Sequence, residues 1–355
     1  LLDSVSEGRF FRQTMFITGS SGGLIGASYY RELYLRRLTN KNLNLYDLKY
    51  WEKLGKDKLN AMVFSLVVND LFFRFQQFRL NGQLYYKDRG YALERQLLEH
   101  TDYVFDRSLG DYKEAEWLSL IPMLVIAPSI VNDGRKLYIS PQPISYLNAG
   151  NIHSDTTHLA VKTNGIEFRR FFAEQNPDSL RFVTALRMNA TFPYITPNIV
   201  LPSDPPMEII DAGLTDNFGV SDVIRFLYVF QDWIAENTSG VIIVNIRDTE
   251  VEQEIRAKEN PTILDKIFNP ISILWGNLQN QQDIRNDNSI EYAKGWFKGN
   301  LDYLCFEYSG SLEIADKQRA SLSWRLTSQE KKDILSQVYK EKNQQTIRLL
   351  LEKMK

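Results

Sequence analysis

Two short stretches of the chain hold residues whose types and spacing suit acyl-transfer chemistry. The first is Gly19-Ser20-Ser21-Gly22-Gly23, a G-x-S-x-G pattern. A serine flanked in this way can sit at the tip of a sharp strand-to-helix turn. Its hydroxyl is then exposed, and the small neighbours let chain segments pass closely. The helix N-terminus beneath it favours a developing negative charge. Ser21 is therefore a candidate nucleophile, with Gly19, Gly22 and Gly23 shaping the turn and the Gly22 amide as an oxyanion donor. The competing reading is a glycine-rich turn that only shapes the fold or binds a phosphate. The second stretch is Asp211-Ala212-Gly213-Leu214-Thr215-Asp216-Asn217-Phe218-Gly219, which follows an apolar run. An acidic residue at a strand end, followed by small residues, can be held close to a nucleophile on a neighbouring strand end. The competing reading is a turn in which Asp211 caps local amides.

A serine nucleophile needs a base, and histidine is poorly placed to be one. The only histidines are His100, His153 and His158. An α/β-hydrolase runs Ser, then Asp or Glu, then His, and no histidine follows Asp211. His153 and His158 are five apart in a polar stretch, which is not the i, i+4 pair of a metalloprotease helix. Nucleotide binding is disfavoured as well. Residues 18–25 resemble the T-G-x-x-x-G-x-G turn of short-chain dehydrogenases, but Ile25 replaces the last glycine and no tyrosine has a lysine four residues on. There is no G-x-x-x-x-G-K-[ST], which rules out a P-loop. The single cysteine, Cys305, excludes an intrachain disulfide and a cysteine-based metal site. No metal and no organic cofactor is implied.

The elements that must position these residues follow from apolar patterning. Residues 14–18 read as a short buried strand entering the glycine-rich turn. Residues 24–38 read as a helix with Ile25, Tyr29 and Leu33 on one face. Residues 59–80 and 91–100 read as helices, and the aromatic span 61–78 is read as core packing or as an acyl-chain wall. Residues 123–127 read as a strand, with Asn132-Asp133-Gly134 as a turn and 137–140 as its return. Residues 179–188 read as a helix, 207–210 as the strand before Asp211, 220–235 as a helix and 241–246 as a buried strand. Strands alternating with helices predict an α/β fold with a mainly parallel central sheet covered by helices on both faces, plus helical additions.

The two motifs together, with no suitable histidine, resemble the patatin-like and cytosolic phospholipase family, in which a strand–G-x-S-x-G–helix is paired with a distant D-[GAS]-G-x-x-x-N-x-[PG]. That resemblance implies a Ser–Asp dyad. Ser21 matches the family's nucleophile and Asp211 its base, with Gly213 and Asn217 as supporting positions. Arg187-Met188-Asn189-Ala190-Thr191-Phe192-Pro193 is similar to the segment ahead of the aspartate motif, and Arg89-Gly90-Tyr91-Ala92-Leu93-Glu94 is a weaker likeness. The resemblance implies a lipid acyl hydrolase working through an acyl-serine, on a lipid or other ester substrate. Ala212 stands where many members have glycine. The family's upstream G-G-G-x-[RK]-G oxyanion loop has no counterpart in residues 1–16. Its first strand and loop are therefore expected to precede Leu1. An inactive patatin-fold module used for binding is the alternative.

The 355 residues are 43% apolar and 24% charged, which are globular fractions. With 42 basic and 44 acidic residues the formal charge is −2, which disfavours nucleic acid as a partner. No apolar stretch is long enough to span a membrane. A cytoplasmic location, or one peripheral to a membrane, is expected, and upstream residues could change it. Residues 316–355 carry a basic excess. This reads as a solvated helix face, or secondarily as a surface for peripheral contact with an anionic membrane. Two parts are expected: 1–250 as the acyl-hydrolase-like domain, N-terminally incomplete, and 251–355 as a mostly helical extension packed on it. Oligomeric state is not legible.

Overall fold

The computed structural model describes residues 1–67, 77–80, 83–86, 88–148, 163–191, 196–250, 263–309, 320–321 and 323–355. The chain forms two compact units. The first is residues 1–215 with 321–331 and 354; the second is 216–320 with 332–353 and 355. The boundary expected near residue 250 thus falls inside the second unit. The fold is mixed α/β. No helix among the described residues is long and apolar enough to cross a membrane.

The first unit is built around residues 123–130. Phe16–Ile17 pairs parallel with Met123–Leu124, Phe16 opposite Met123 and Ile17 opposite Leu124. Backbone bonds from Met123 N–H to Met15 O and from Val125 N–H to Ile17 O, both 2.9 Å, extend the pair. The chain then bridges antiparallel from Ile126 to Ile139 and enters a five-stranded sheet. Its spatial order is Gly165–Glu167, Lys136–Tyr138, Ser129–Ile130, Met207–Ile210, Ile199–Leu201. Only the pairing of Lys136–Tyr138 with Gly165–Glu167 is parallel; the other three are antiparallel. The expectation of a mainly parallel sheet is therefore corrected among the described residues. The cause is local. The Asn132-Asp133-Gly134 turn sends the chain straight back, with Gly134 at φ 74° donating its N–H to Ile130 O at 2.9 Å. The Asn132 side chain ties this turn to the next strand, accepting from Glu208 N–H at 3.0 Å and donating to Pro206 O at 3.2 Å.

The helix Ser21–Thr39 follows the first strand. Ile25, Tyr29 and Leu33 are buried on one face, as their spacing predicts, and Leu24 joins them. They pack in one core with Leu93 and Leu97 of the helix Arg89–His100, with Phe105, and with Phe182 of the helix Phe182–Met188. The Tyr29 and Phe105 rings meet edge-on with centroids 5.9 Å apart. A fully buried Arg31 ties this helix to the sheet. It donates from Nε to Pro122 O at 2.9 Å and pairs with Glu116, whose carboxylate accepts Leu124 N–H at 3.1 Å. Burial pushes Glu116 up to about 7, and Arg31 opposes that rise. The elbow helix and the strand beside it are thus joined through one buried ion pair, which periodicity does not reveal.

The helix expected over 59–80 is shorter. It spans Leu59–Ser65, and Gln77–Leu80 pairs antiparallel with Gln83–Tyr86. The signal for this hairpin is Asn81-Gly82, the strongest two-residue turn dipeptide; the apolar run around it masks that signal. Of the span 61–78 read as an acyl-chain wall, residues 68–76 lie outside the described residues.

In the second unit Val241–Arg247 pairs in parallel with Leu301–Glu307 along its whole length. The chain between them includes the helix Ile263–Trp296. Leu227 and Ile234 of the helix Val220–Asn237 pack with Ile243 and Phe297. Beyond residue 250 the strand Leu301–Glu307 stands among the helices Ile263–Trp296, Ser328–Ser336 and Glu341–Lys353. The Thr327–Glu330 capping box, which belongs to the first unit, is present: Glu330 accepts Thr327 N–H at 2.7 Å, and Thr327 Oγ1 accepts Glu330 N–H at 3.2 Å.

The sheet beneath the site has one tightly packed point. A Cβ on Gly165 would overlap the buried Tyr138 ring, with Cδ2 at 2.7 Å, and would lie 2.8 Å from the Lys136 carbonyl oxygen. Gly165→Ala is expected to destabilise the protein by about 1–3 kcal/mol, read as a lowered urea midpoint with an unchanged m-value.

Candidate active site

Strand register explains why Ser21 and Asp211 meet. Ile17 lies opposite Leu124 in a parallel pair, so the chain beyond Ile17 advances toward Ala127. Ile210 lies opposite Ser129 in an antiparallel pair, so the chain beyond Ile210 advances toward Pro128 from the other side. Two strand ends that run toward each other therefore deliver the elbow and the aspartate to one place. The site lies at strand ends as expected, but opposed ends replace the neighbouring parallel ones.

Ser21 occupies φ 50°, the left-handed region that a non-glycine residue enters at a cost of about 1–2 kcal/mol. It is the first residue of its helix, and Gly19 before it sits at φ 154°, which suits glycine alone. Ser21 is half-buried, whereas Gly22 and Gly23 are exposed. The expectation that these glycines let chain segments pass closely is corrected. A Cβ added at Gly19, Gly22 or Gly23 would meet nothing within 4 Å. Ser21 N–H donates to Asn189 O at 3.0 Å, and Leu24 N–H donates to Ser20 O at 3.2 Å. Among the described residues the Gly22 and Gly23 amides have no partner, and the helix has no side-chain cap. Two N–H groups without a partner among the described residues therefore stand at the first turn beside Ser21, where the motif alone offered one.

Asp211 is buried, at 4% exposure. Its Oδ1 accepts Gly213 N–H at 2.8 Å. Its main chain is fixed by Asp211 N–H to Thr191 O at 3.1 Å and by Ser129 Oγ to Asp211 O at 3.0 Å. Burial pushes its pKa from 3.8 up to about 6, opposed by the Gly213 N–H and then by the Ser21 hydroxyl. The serine thus reaches the carboxyl closely enough to hold its pKa down. Yet Oδ2 has no partner of full hydrogen-bond geometry, so the contact is looser than a closed hydrogen bond. Such looseness is common before substrate binds. Among the described residues no cation and no histidine contributes to the shift.

The remaining expected residues divide. Gly213 supports the site through its amide. Asn217 belongs to the second unit, where its N–H donates to Gln282 at 3.2 Å. His100 ends the helix Arg89–His100. Burial lowers its pKa, and the charges acting on it are Lys58, Lys56, Glu99 and Asp57, none of them from the elbow or the aspartate turn. His153 and His158 lie outside the described residues. Among the described residues no group of three or more His, Cys, Asp or Glu could hold a metal. The described part of 187–193 and the segment 89–94, the weaker likeness, meet each other. Arg187 donates from Nε to Glu94 Oε1 at 2.7 Å, and its guanidinium lies against Gly90 with no room for a Cβ there. Ser129 is a further site residue that sequence reasoning missed. Its only signal is a small polar residue following Pro128.

No family model matches the chain, and no curated protein is significantly similar to it.

The raised pKa of Asp211 carries a sign. The folded value, about 6, exceeds the unfolded 3.8, so ionising this group costs stability. The cost is absent below about pH 3.8 and complete above about pH 6, where it amounts to about 3 kcal/mol. Asp211→Asn is therefore expected to melt about 2–4 °C above wild type near pH 7, with the gain vanishing toward pH 4 in a series of thermal melts.

Proposed function

We propose that this chain is a serine-dependent lipid acyl hydrolase of the patatin-like type. The observation that carries this reading is a serine in a strained left-handed elbow whose hydroxyl acts on a buried, uncompensated carboxyl with a pKa of about 6. Neither torsion nor burial helps the fold, and each suits a nucleophile and its base. Asp211 takes the proton as Ser21 Oγ attacks the ester carbonyl carbon. The tetrahedral oxyanion collapses and expels the alcohol, which receives the proton from Asp211. An acyl-serine remains. Water gives a proton to Asp211 as its oxygen attacks the acyl carbon; the C–Oγ bond then breaks, Ser21 Oγ takes the proton back from Asp211, and the carboxylic acid leaves. The free amides of Gly22 and Gly23 stand where they can stabilise the oxyanion at the helix N-terminus, and each such donor contributes about 3 kcal/mol. This lightens the demand on an upstream glycine-rich loop. The choice of lipid rather than a general ester rests on the motif resemblance, as does the patatin-like type.

The test is hydrolysis of a short-chain nitrophenyl ester and of a phospholipid, each against Ser21→Ala. Loss of roughly four orders of magnitude or more in the variant supports the reading. Equal turnover by wild type and variant on both substrates would replace it with a binding module. The base must be ionised to act, so kcat/KM should fall below an apparent pKa of about 6 and level off above it. Substituting all three histidines by Gln should leave kcat/KM within about tenfold.

A further inference from the structure

We propose that Asn189 is the positioning residue of the dyad, holding the strained elbow and the aspartate turn to one fixed point. The proposal rests on the Ser21–Asp211 reading. Asn189 caps the C-terminus of the helix Phe182–Met188 and is fully buried. Its main-chain carbonyl accepts Ser21 N–H at 3.0 Å and lies 3.5 Å from Ala212 N. Its side-chain Nδ2 donates to Gly19 O at 3.0 Å, and its Oδ1 accepts Ala127 N–H at 3.2 Å.

One residue therefore makes four contacts with the three segments that define the site. It grips the elbow on both sides of Ser20, at the Gly19 carbonyl and the Ser21 amide, between the two unusual torsions of the turn. It grips the point on residues 123–130 toward which both strand ends run. Two residues on, Thr191 O accepts Asp211 N–H at 3.1 Å, so the same stretch sets the aspartate. The carbonyl contacts would survive in any residue, but the side-chain contacts require a donor and an acceptor at one short tip. Asp lacks the donor and would set an oxygen against the Gly19 carbonyl. Apolar residues lack both groups and would leave the part-buried Gly19 carbonyl and the buried Ala127 amide unpaired. Without the clamp, the left-handed torsion at Ser21 is free to relax, carrying the hydroxyl away from Asp211.

The experiment compares wild type, Asn189→Ala and Leu109→Ala. Leu109 is a fully buried core residue whose truncation lowers stability generally. All three are held well below their melting temperatures. Ser21 is labelled with a fluorophosphonate, and a pH–rate profile is taken on a short-chain nitrophenyl ester. Asn189→Ala is expected to slow labelling and kcat about 10- to 100-fold while KM stays within about threefold. Its acid limb should move upward in pH, because the Ser21 hydroxyl no longer holds the Asp211 pKa down. Leu109→Ala should label at the wild-type rate with an unmoved limb. If Asn189→Ala does not fold, Asn189→Ser, whose hydroxyl can serve either Gly19 or Ala127, is measured in the same two ways. A folded Asn189 variant that labels within threefold of wild type with the same limb overturns the positioning role while leaving the hydrolase intact. An equal slowing in Leu109→Ala also overturns it. A wild type in which Ser21 takes no label overturns the dyad and this role with it.

Discussion

Residues 123–130 impose the constraint on which the first unit depends, because they must serve two neighbours of opposite sense. At one end they are the parallel partner of Phe16–Ile17, and at the other the antiparallel partner of Met207–Ile210. Each pairing stops short of Ala127 and Pro128. Past those stops the two neighbouring chains have no further ladder to follow, and they turn outward as the elbow and the aspartate loop. The separation of Ser21 from Asp211 is thus set by hydrogen-bond register, which can change only in whole-residue steps and flips side-chain direction at every step. This fixes a two-residue site more firmly than loop packing could.

The electrostatics of the unit divide into two kinds of buried carboxylate. Glu116 is buried beside Arg31 and accepts a backbone amide, so its charge has a neutralising partner. Asp211 has only neutral donors, one amide and one hydroxyl. The first arrangement fastens a helix to a strand and suits a structural role. The second leaves a buried carboxyl with no charged partner; burial raises both groups, Glu116 to about 7 and Asp211 to about 6, so the contrast lies in the partners and not in the raised value. Burial is similar in the two, and the difference lies in whether a guanidinium stands alongside.

Much of this was legible in the residues. Ile25, Tyr29 and Leu33 announced the buried face of the elbow helix because a helix repeats every three to four residues. Met207–Ile210 and the elbow were legible because an apolar run ending in Gly or Asp-Ala-Gly has few other local solutions. The direction of strand pairing was not legible, since short apolar runs look alike whether their neighbour is parallel or antiparallel. The hairpin Gln77–Leu80 and Gln83–Tyr86 was announced by Asn81-Gly82 but lay within an apolar stretch that also suits a helix. Arg31 and Glu116 were hidden because their burial depends on a contact distant in sequence. Asn189 was visible only as part of a resembling segment; its four contacts come from three other parts of the chain.

Ser21 at φ 50° has a consequence for how such a chain would age. A glycine there would remove the torsional cost, and an asparagine at Asp211 would remove the buried charge, so both exchanges would make a sturdier molecule. Each is reachable by a small change in the coding sequence. Random drift under selection for folding alone would therefore tend to erase this pair first, well before the core. A lineage that kept the fold but lost the need for the hydroxyl would carry glycine or asparagine at these two positions. The state of these two sites in any descendant chain would thus be a historical marker of whether the proposed chemistry was kept.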